Sequence, residues 1–207
     1  MPLRPFRCYR RLDARPYTQL KYIRGVPGSK IVIFDMGAHI EKFPVVVTLY
    51  SDEPGQIRHN ALEAARVMAN RYLMKRLGKN GYHLKIRVYP HHVLRENAMA
   101  TGAGADRYQT GMRGAFGRPV GFAARVRAGQ AIATAWVPEG QEEVAREALR
   151  RAKMKLPMPC SLGIEYVQVD QAKLREIEEL ERREREKEAR RTAQVAQAEA
   201  EAVSAPA

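Results

Sequence analysis

An α+β fold is the architecture this sequence predicts. Two stretches carry apolar residues at helical spacing and six others read as short strands. Two of those strands follow each other across a glycine-bearing turn as a hairpin, so strands do not alternate one for one with helices as in a doubly wound sheet. A chain of 207 residues suits one compact domain with tails better than two domains.

Residues 1–28 form an extended arm, because Pro2, Pro5, Pro16 and Pro27 interrupt any helix and such a segment must pack on something else. The globular part spans 29–169. Lys30 to Phe34 (KIVIF) and Val45 to Tyr50 (VVVTLY) are β-branched runs bounded by Gly or Pro and predict two strands. A helix follows over Gln56 to Leu77. Ile57, Ala61, Ala64, Met68 and Tyr72 recur at three- and four-residue steps, Leu62, Ala65, Ala69 and Leu73 widen the stripe, and Gly78 ends it. Tyr82 to Tyr89 alternates Tyr82, Leu84, Ile86 and Val88 against His83, Lys85, Arg87 and Tyr89, a half-buried strand whose other face is basic.

Between Ala98 and Gly121 periodicity vanishes and six of the fifteen glycines appear, which predicts a long loop with a function of its own. Phe122 to Arg127 and Ala131 to Val137 follow as the two strands of the hairpin. Glu142 to Lys155 is a second amphipathic helix, with Val144, Ala145, Ala148, Leu149 and Ala152 on one face, acids at its start and Lys153 and Lys155 at its end. Ile164 to Val169 supplies a last strand. Residues 170–191 read as a charged helix, with Glu178 and Arg182, Glu179 and Arg183, Glu181 and Arg185, and Glu186 and Arg190 at i,i+4. Its apolar stripe, Leu174, Ile177 and Leu180, is too short for a coiled coil. The Ala/Gln/Glu tail, 192–207, predicts disorder.

Charge selects the partner. The chain carries a net +13, of which residues 1–28 hold +6, while 170–207 hold −2, so the body before Asp170 carries +15. A field of that size favours a polyanion, because each neutralised phosphate releases counterions. Arg4, Arg7, Arg10, Arg11, Arg15, Lys21 and Arg24 are interleaved with Phe6, Tyr9, Tyr17 and Tyr22, and guanidinium forks beside aromatic faces suit RNA phosphates and bases. No run of eighteen apolar residues and no apolar leader follow the arginine-rich start, and no segment pairs a basic with a wide apolar face, so we expect no membrane and a cytoplasmic protein. Cys8 and Cys160 cannot form a bridge framework or a zinc ribbon.

No catalytic set emerges. GAGADR, Gly102 to Arg107, lacks the third glycine and the flanking strand and helix of a dinucleotide site, and RGVPGSK, Arg24 to Lys30, lacks Walker spacing. His91 and His92 are adjacent, so on an extended chain they point apart and suit RNA contact better than a shared metal. Ser161 beside Cys160 has no nucleophile elbow. We therefore expect no enzyme, no cofactor and no metal. The glycine-rich loop itself remains: Asp106, Arg107, Arg113 and Arg118 with Tyr108, Gln109, Thr110 and Phe116 put forks, amides and rings on a backbone that can approach another closely.

Six ordered blocks carry a family resemblance. RPFRCYR (Arg4 to Arg10), RGVPGSKIVIFDMG (Arg24 to Gly37), ALEAARVMANRYLMK (Ala61 to Lys75), HHVLRENAM (His91 to Met99), GAGADRYQTGMRGAFGRP (Gly102 to Pro119) and EALRRAKMKLP (Glu147 to Pro157) resemble the archaeal and eukaryotic large-subunit ribosomal proteins of the ten-e type, equivalent to bacterial large-subunit ribosomal protein sixteen. The resemblance runs from Met1 to about Val169; the extension matches nothing in it. It implies an α/β hammerhead-type layer of mixed or antiparallel strands lying on large-subunit RNA, between the central protuberance and the stalk base. It further implies that residues 98–116, with Gly102, Gly104, Asp106, Arg107, Gln109, Thr110, Gly111, Arg113 and Gly114, reach toward the peptidyl transferase centre and its tRNA. The expected partners are ribosomal RNA, tRNA and neighbouring ribosomal proteins around a single copy of the chain. The expected RNA contacts are the seven arm cations with Tyr9, together with Lys85, Arg87, His91, His92, Arg95, Arg118, Lys153 and Lys155. An RNA-modifying enzyme and a transient ribosome-assembly factor are the rival readings; the first needs an acid, base or cofactor site that the sequence does not offer.

Overall fold

The computed structural model describes residues 4–100 and 102–167, together with Arg175, Glu179, Arg182, Arg183 and Lys187. Among the described residues eight strands and two α-helices form two antiparallel sheets, with the helices packed against both in one core. The strands are β1 (Asp35–Gly37), β2 (Val45–Ser51), β3 (Gly55–Arg58), β4 (His83–Ile86), β5 (His92–Glu96), β6 (Arg118–Val126), β7 (Ala131–Val137) and β8 (Cys160–Tyr166); the helices are α1 (His59–Leu77) and α2 (Glu142–Lys153). The larger sheet runs β1-β4-β7-β2-β8 and the smaller β3-β6-β5. This is the α+β architecture the sequence predicts.

Alternation decides which face of the larger sheet is covered. Val45, Val47 and Leu49 of β2 join Leu62, Ala65, Ala69 and Leu73 of α1 and Ala145, Ala148, Leu149 and Ala152 of α2 in one core. On the reverse face Phe43, Val46 and Trp136 form a separate small cluster. The small residues of both helices let them lie close to the sheet. Within the predicted α1 stripe, the buried set is the widening row, while Ala61, Ala64, Met68 and Tyr72 flank it half-buried. Gly78 stops the helix with φ of 76°, the backbone conformation glycine adopts without penalty.

Several expected elements shift. Lys30 to Phe34 is not a strand: Ile31 is buried, but Val32 is 76% exposed and Ile33 51%. The segment lies outside the sheet, touching it through the Phe34 carbonyl, which accepts the Ile86 N–H at 2.8 Å, and pairing starts only at Asp35. The helix expected from Gln56 starts at His59, because Gly55 to Arg58 pair with Ala123 to Val126. Ile57 fits the helical stripe and an inward strand position equally well. The strand expected over Tyr82 to Tyr89 pairs only over His83–Ile86; Tyr82, Leu84, Ile86 and Val88 are buried as the alternation predicts, but His83, expected on the outward basic face, is buried as well, beside Trp136 and the Ala38 carbonyl. β5 was not expected at all.

The expected hairpin does not form. β6 pairs with β3 and β5, and β7 with β2 and β4, so the turn at Ala128 to Gln130 carries the chain from one sheet to the other. Ser51 redirects it: its N–H donates to the Gln130 carbonyl at 3.0 Å and its carbonyl accepts the Gly129 N–H at 2.7 Å, which hands β7 to β2. The last strand is β8, beginning at Cys160 rather than Ile164. In the charged segment the five described residues are helical, and Arg183 lies 3.9 Å from Glu179. The other expected ion pairs, the stripe Leu174, Ile177 and Leu180, and the tail 192–207 lie outside the described residues, as do Met1, Pro2, Leu3 and Thr101.

Candidate nucleic-acid interface

The arm packs on the smaller sheet of its own molecule. Phe6 lies against Gly55, where an added Cβ would meet the ring at 3.0 Å and Met158 at 2.8 Å. The Gln56 amide donates to the Arg11 carbonyl at 2.8 Å, and Arg125 donates to the Leu12 carbonyl. Farther on, the Tyr17 carbonyl accepts the Val93 N–H at 2.9 Å while the Tyr17 N–H donates to His92 Nδ1 at 2.8 Å. Burial, and then Arg125, hold the His92 pKa below its ordinary value, which keeps that nitrogen an acceptor.

Docking the arm creates a cleft of about 410 Å³ between the arm, the start of α1, the smaller sheet and the glycine-rich loop. Arg4 and Tyr9 come from the arm, Arg58 and His59 from the β3–α1 junction, Phe122 from β6 and Met112 from the loop. The Arg58 guanidinium lies 4.2 Å from the Tyr9 ring centroid. Tyr9 is pushed above the ordinary phenol pKa by burial, with Arg58 opposing, so its hydroxyl stays protonated. His59 accepts the Lys30 N–H on Nδ1 at 2.8 Å; burial, then Lys30 and Arg58, lower its pKa, which leaves a neutral ring with its proton on Nε2. Beyond the Arg58–Tyr9 wall a second cleft, of about 380 Å³, extends to Lys155.

The loop is closed rather than loose. The Gln109 amide makes two bonds to Ala100, accepting its N–H at 2.6 Å and donating to its carbonyl at 2.9 Å. Asn97 donates to the Gly111 carbonyl at 3.3 Å, and Thr110 to the Arg113 carbonyl at 3.0 Å. Arg95 clasps the base of the loop: Nε donates to the Phe116 carbonyl at 2.9 Å, Nη2 donates to the Gly117 carbonyl, and the guanidinium lies 3.5 Å from the Phe116 ring centroid. Gly117 must be glycine, since its φ is 73° and a Cβ there would sit 2.5 Å from the Glu96 carbonyl carbon. Outward, the loop presents Asp106, Arg107 and Arg113 as exposed side chains, with Tyr108 88% exposed. Around Gly102, Gly104, Gly111 and Gly114 the space that a Cβ would occupy is open, so another backbone can come close.

The other expected RNA contacts divide by whether the fold already uses them. Arg4 bonds Glu96 at 2.5 Å and Arg10 bonds Glu53 at 2.7 Å. Lys85 lies 3.2 Å from Asp35, whose other carboxylate oxygen lies 2.7 Å from His83. Arg87 donates to the Thr134 hydroxyl at 2.7 Å and sits over Trp136. By contrast Arg7, Arg11, Arg15, Lys21, Arg24, Arg118, Lys153 and Lys155 are exposed and, among the described residues, in no ion pair, and His91 is exposed against the Tyr89 ring. Arg58 and Asn60 line the cleft without having been expected there, and Arg76 and Arg151 flank the Tyr72 ring at 5.8 and 4.1 Å. An arginine preceding a helix that lacks a Ser, Thr, Asp or Asn cap was the available signal for Arg58. No helix among the described residues is long and apolar enough to cross a membrane.

Comparison with known proteins adds a family. Residues 12–162 match the model of the ribosomal protein L16p/L10e family. Over 165 residues the chain is 54% identical to large ribosomal subunit protein uL16 of Archaeoglobus fulgidus, covering 80% of this chain and 94% of that protein. It is 56% identical to the protein of the same name from Staphylothermus marinus over 162 residues, 78% of this chain and 93% of the relative. The Methanosphaerula palustris protein of that name is 51% identical over 173 residues, 84% of this chain and all of the relative.

Proposed function

The chain belongs to the ribosomal protein L16p/L10e family, and from that premise we propose that it is a structural, non-catalytic component of the large subunit of cytoplasmic ribosomes. It binds ribosomal RNA and neighbouring ribosomal proteins as a single copy. The observation that carries this reading is the docked arm, whose Arg7, Arg11, Arg15, Lys21 and Arg24 are exposed and in no ion pair among the described residues, together with the closed, outward-facing loop. An arm fixed on its own sheet holds those guanidiniums in place before RNA arrives, which lowers the ordering cost of binding. Through residues 98–116, the same protein helps to seat tRNA near the peptidyl transferase centre; the open backbone at four loop glycines and the exposed Arg107 and Arg113 support that role.

The test has two arms. Isolated protein should bind large-subunit RNA with a slope of roughly −4 to −5 in log K against log salt, as about six phosphate contacts at about −0.7 to −0.9 each require; a flat dependence refutes RNA anchoring. Tagged chain should also stay with mature large subunits sedimented through high salt. If it is released from them and rides only on precursor particles, it is an assembly factor.

A further inference from the structure

We propose that the 410 Å³ cleft at the start of α1 takes one unstacked nucleotide of ribosomal RNA, with its phosphate at the α1 N-terminus beside Arg58 and Arg4 and its base against Leu94, Met112 and Phe122. The inference rests on the RNA-binding reading above and names what enters this site.

Three independent features converge there. First, α1 begins without the residues that normally complete a helix start. Its N-cap, Arg58, makes no side-chain cap bond, and its first turn holds no acid. Among the first backbone donors, Ala61 N–H is met by Asn60 Oδ1 at 3.0 Å. A 19-residue helix presents partial positive charge at this end, and a phosphate supplies both the missing acceptors and the opposite charge. Second, Arg58 Nε is buried with no hydrogen-bond partner. A buried donor left alone is unusual, and Arg58 is in no ion pair among the described residues, so a phosphate at this wall of the cleft pairs with the guanidinium charge. Arg4 adds a second guanidinium, which Glu96 engages through Nε.

Third, the rest of the wall is apolar and soft. Leu94 and Phe122 are half-buried and Met112 is 69% exposed, a thioether and ring lining against which a flat base packs. The cleft falls within the range of about 300–1,000 Å³ that small-ligand sites occupy, so it admits a single nucleotide and excludes a duplex. Arg4, Arg58 and Arg95 outnumber the one carboxylate on its wall, Glu96, and so select an anionic occupant. The second cleft shares Arg4, Tyr9, Arg58 and Asn60 and ends at Lys155, which lets the strand on either side of the inserted nucleotide continue over cations.

Ultraviolet cross-linking of the full chain to large-subunit ribosomal RNA, read by mass spectrometry, tests this. A cross-linked nucleotide is expected on Tyr9, Met112 or Phe122. Ala115→Trp fills the cleft without changing charge and should reduce that cross-link by about fivefold or more and RNA affinity by about three- to tenfold, with the salt slope unchanged. Arg58→Gln should instead lower the slope by about one phosphate's worth, roughly 0.7–0.9. A readout without substitutions is the Cys8 thiol, which is exposed on the cleft wall; Cys160 is buried with its pKa pushed up to about 11, so it stays silent. Bound RNA should slow Cys8 alkylation by about tenfold. Cross-links confined to Tyr22, Tyr108 and Phe116, with Cys8 alkylated at its free rate in the complex, overturn the nucleotide site while leaving RNA binding intact. Failure of the wild-type chain to bind the RNA at all overturns both readings, and protection of Cys8 by polyglutamate but not by RNA assigns the cleft to an acidic peptide.

Discussion

Replacing Arg95 separates a clasp from an RNA contact. Its guanidinium donates to the carbonyls of Phe116 and Gly117, reaches the Tyr17 hydroxyl at 3.2 Å, and stacks on Phe116. Two charge-assisted bonds at a half-buried site are worth about 1 kcal/mol each, below the full range for charged groups because water replaces part of what is lost. The ring contact adds about 0.5–1 kcal/mol. Arg95→Ala therefore removes about 2–3 kcal/mol of loop closure. At about 1.4 kcal/mol per tenfold, the open-loop population rises roughly 30- to 150-fold. Hydrogen exchange at Arg107, Tyr108 and Arg113, whose N–H groups bond within the loop, should accelerate by that factor, with the melting midpoint moving only a few degrees because no core residue is touched. Arg95→Lys keeps the charge and loses the fork, so it should behave almost like the alanine variant. If both variants exchange like wild type while RNA affinity drops for alanine and holds for lysine, Arg95 is an RNA contact and the clasp is refuted.

Three other outcomes follow from the same structure. Deleting Asp170 to Ala207 should leave the melting midpoint and large-subunit incorporation nearly unchanged, because the described core ends in β8; loss of incorporation in ribosome profiles contradicts the boundary. Arg107→Ala with Arg113→Ala should weaken tRNA binding on assembled subunits without altering occupancy or stability, since neither side chain enters the core; normal tRNA affinity with an early melt makes the loop structural. His59 and His92 both have pKa values lowered in the fold, so the stability they confer is complete above about pH 6.5 and declines as pH falls through their folded values. Melting midpoints taken between pH 7 and 5 should fall, and less so in His92→Asn, which keeps an acceptor for the Tyr17 N–H; Glu63 and Glu147, also lowered, lose stability only below about pH 4.5 and do not confuse this window.

Local pattern made the helices legible and long-range pairing did not. The α1 and α2 stripes are period signals confined to one element, and both reach the core; α1 ends at Gly78 as expected, while α2 stops at Lys153, two residues before the expected Lys155. The hairpin failed because Ala128-Gly129-Gln130 has the same local chemistry whether its flanking strands pair with each other or diverge. What decides is Ser51, more than seventy residues earlier, whose backbone takes both turn partners. Lys30 to Phe34 has the β-branched composition of a strand, but composition does not supply a neighbour, and at the edge of the sheet none comes until Asp35. β5 was hidden for the converse reason: His92 and Arg95 look like surface polar residues, yet one receives the arm and the other holds the loop.

The same reasoning explains how much of the binding face a count of charges could show. A net +13 identifies the kind of partner, because long-range potential depends on the sum. It does not identify which cations remain free, because that depends on acids brought near by folding. Glu96, Glu53 and Asp35 stand 92, 43 and 50 positions from Arg4, Arg10 and Lys85, and each takes one of them. The cation with the most distinctive setting is Arg58, which no cluster in the sequence marks and whose buried Nε has no acceptor. Its importance comes from the helix that begins one residue later and from the arm residue, Tyr9, laid beneath it. A phosphate site of this kind is assembled from three chain segments, so sequence reading can recover its ingredients but only the fold brings them within reach of one ligand.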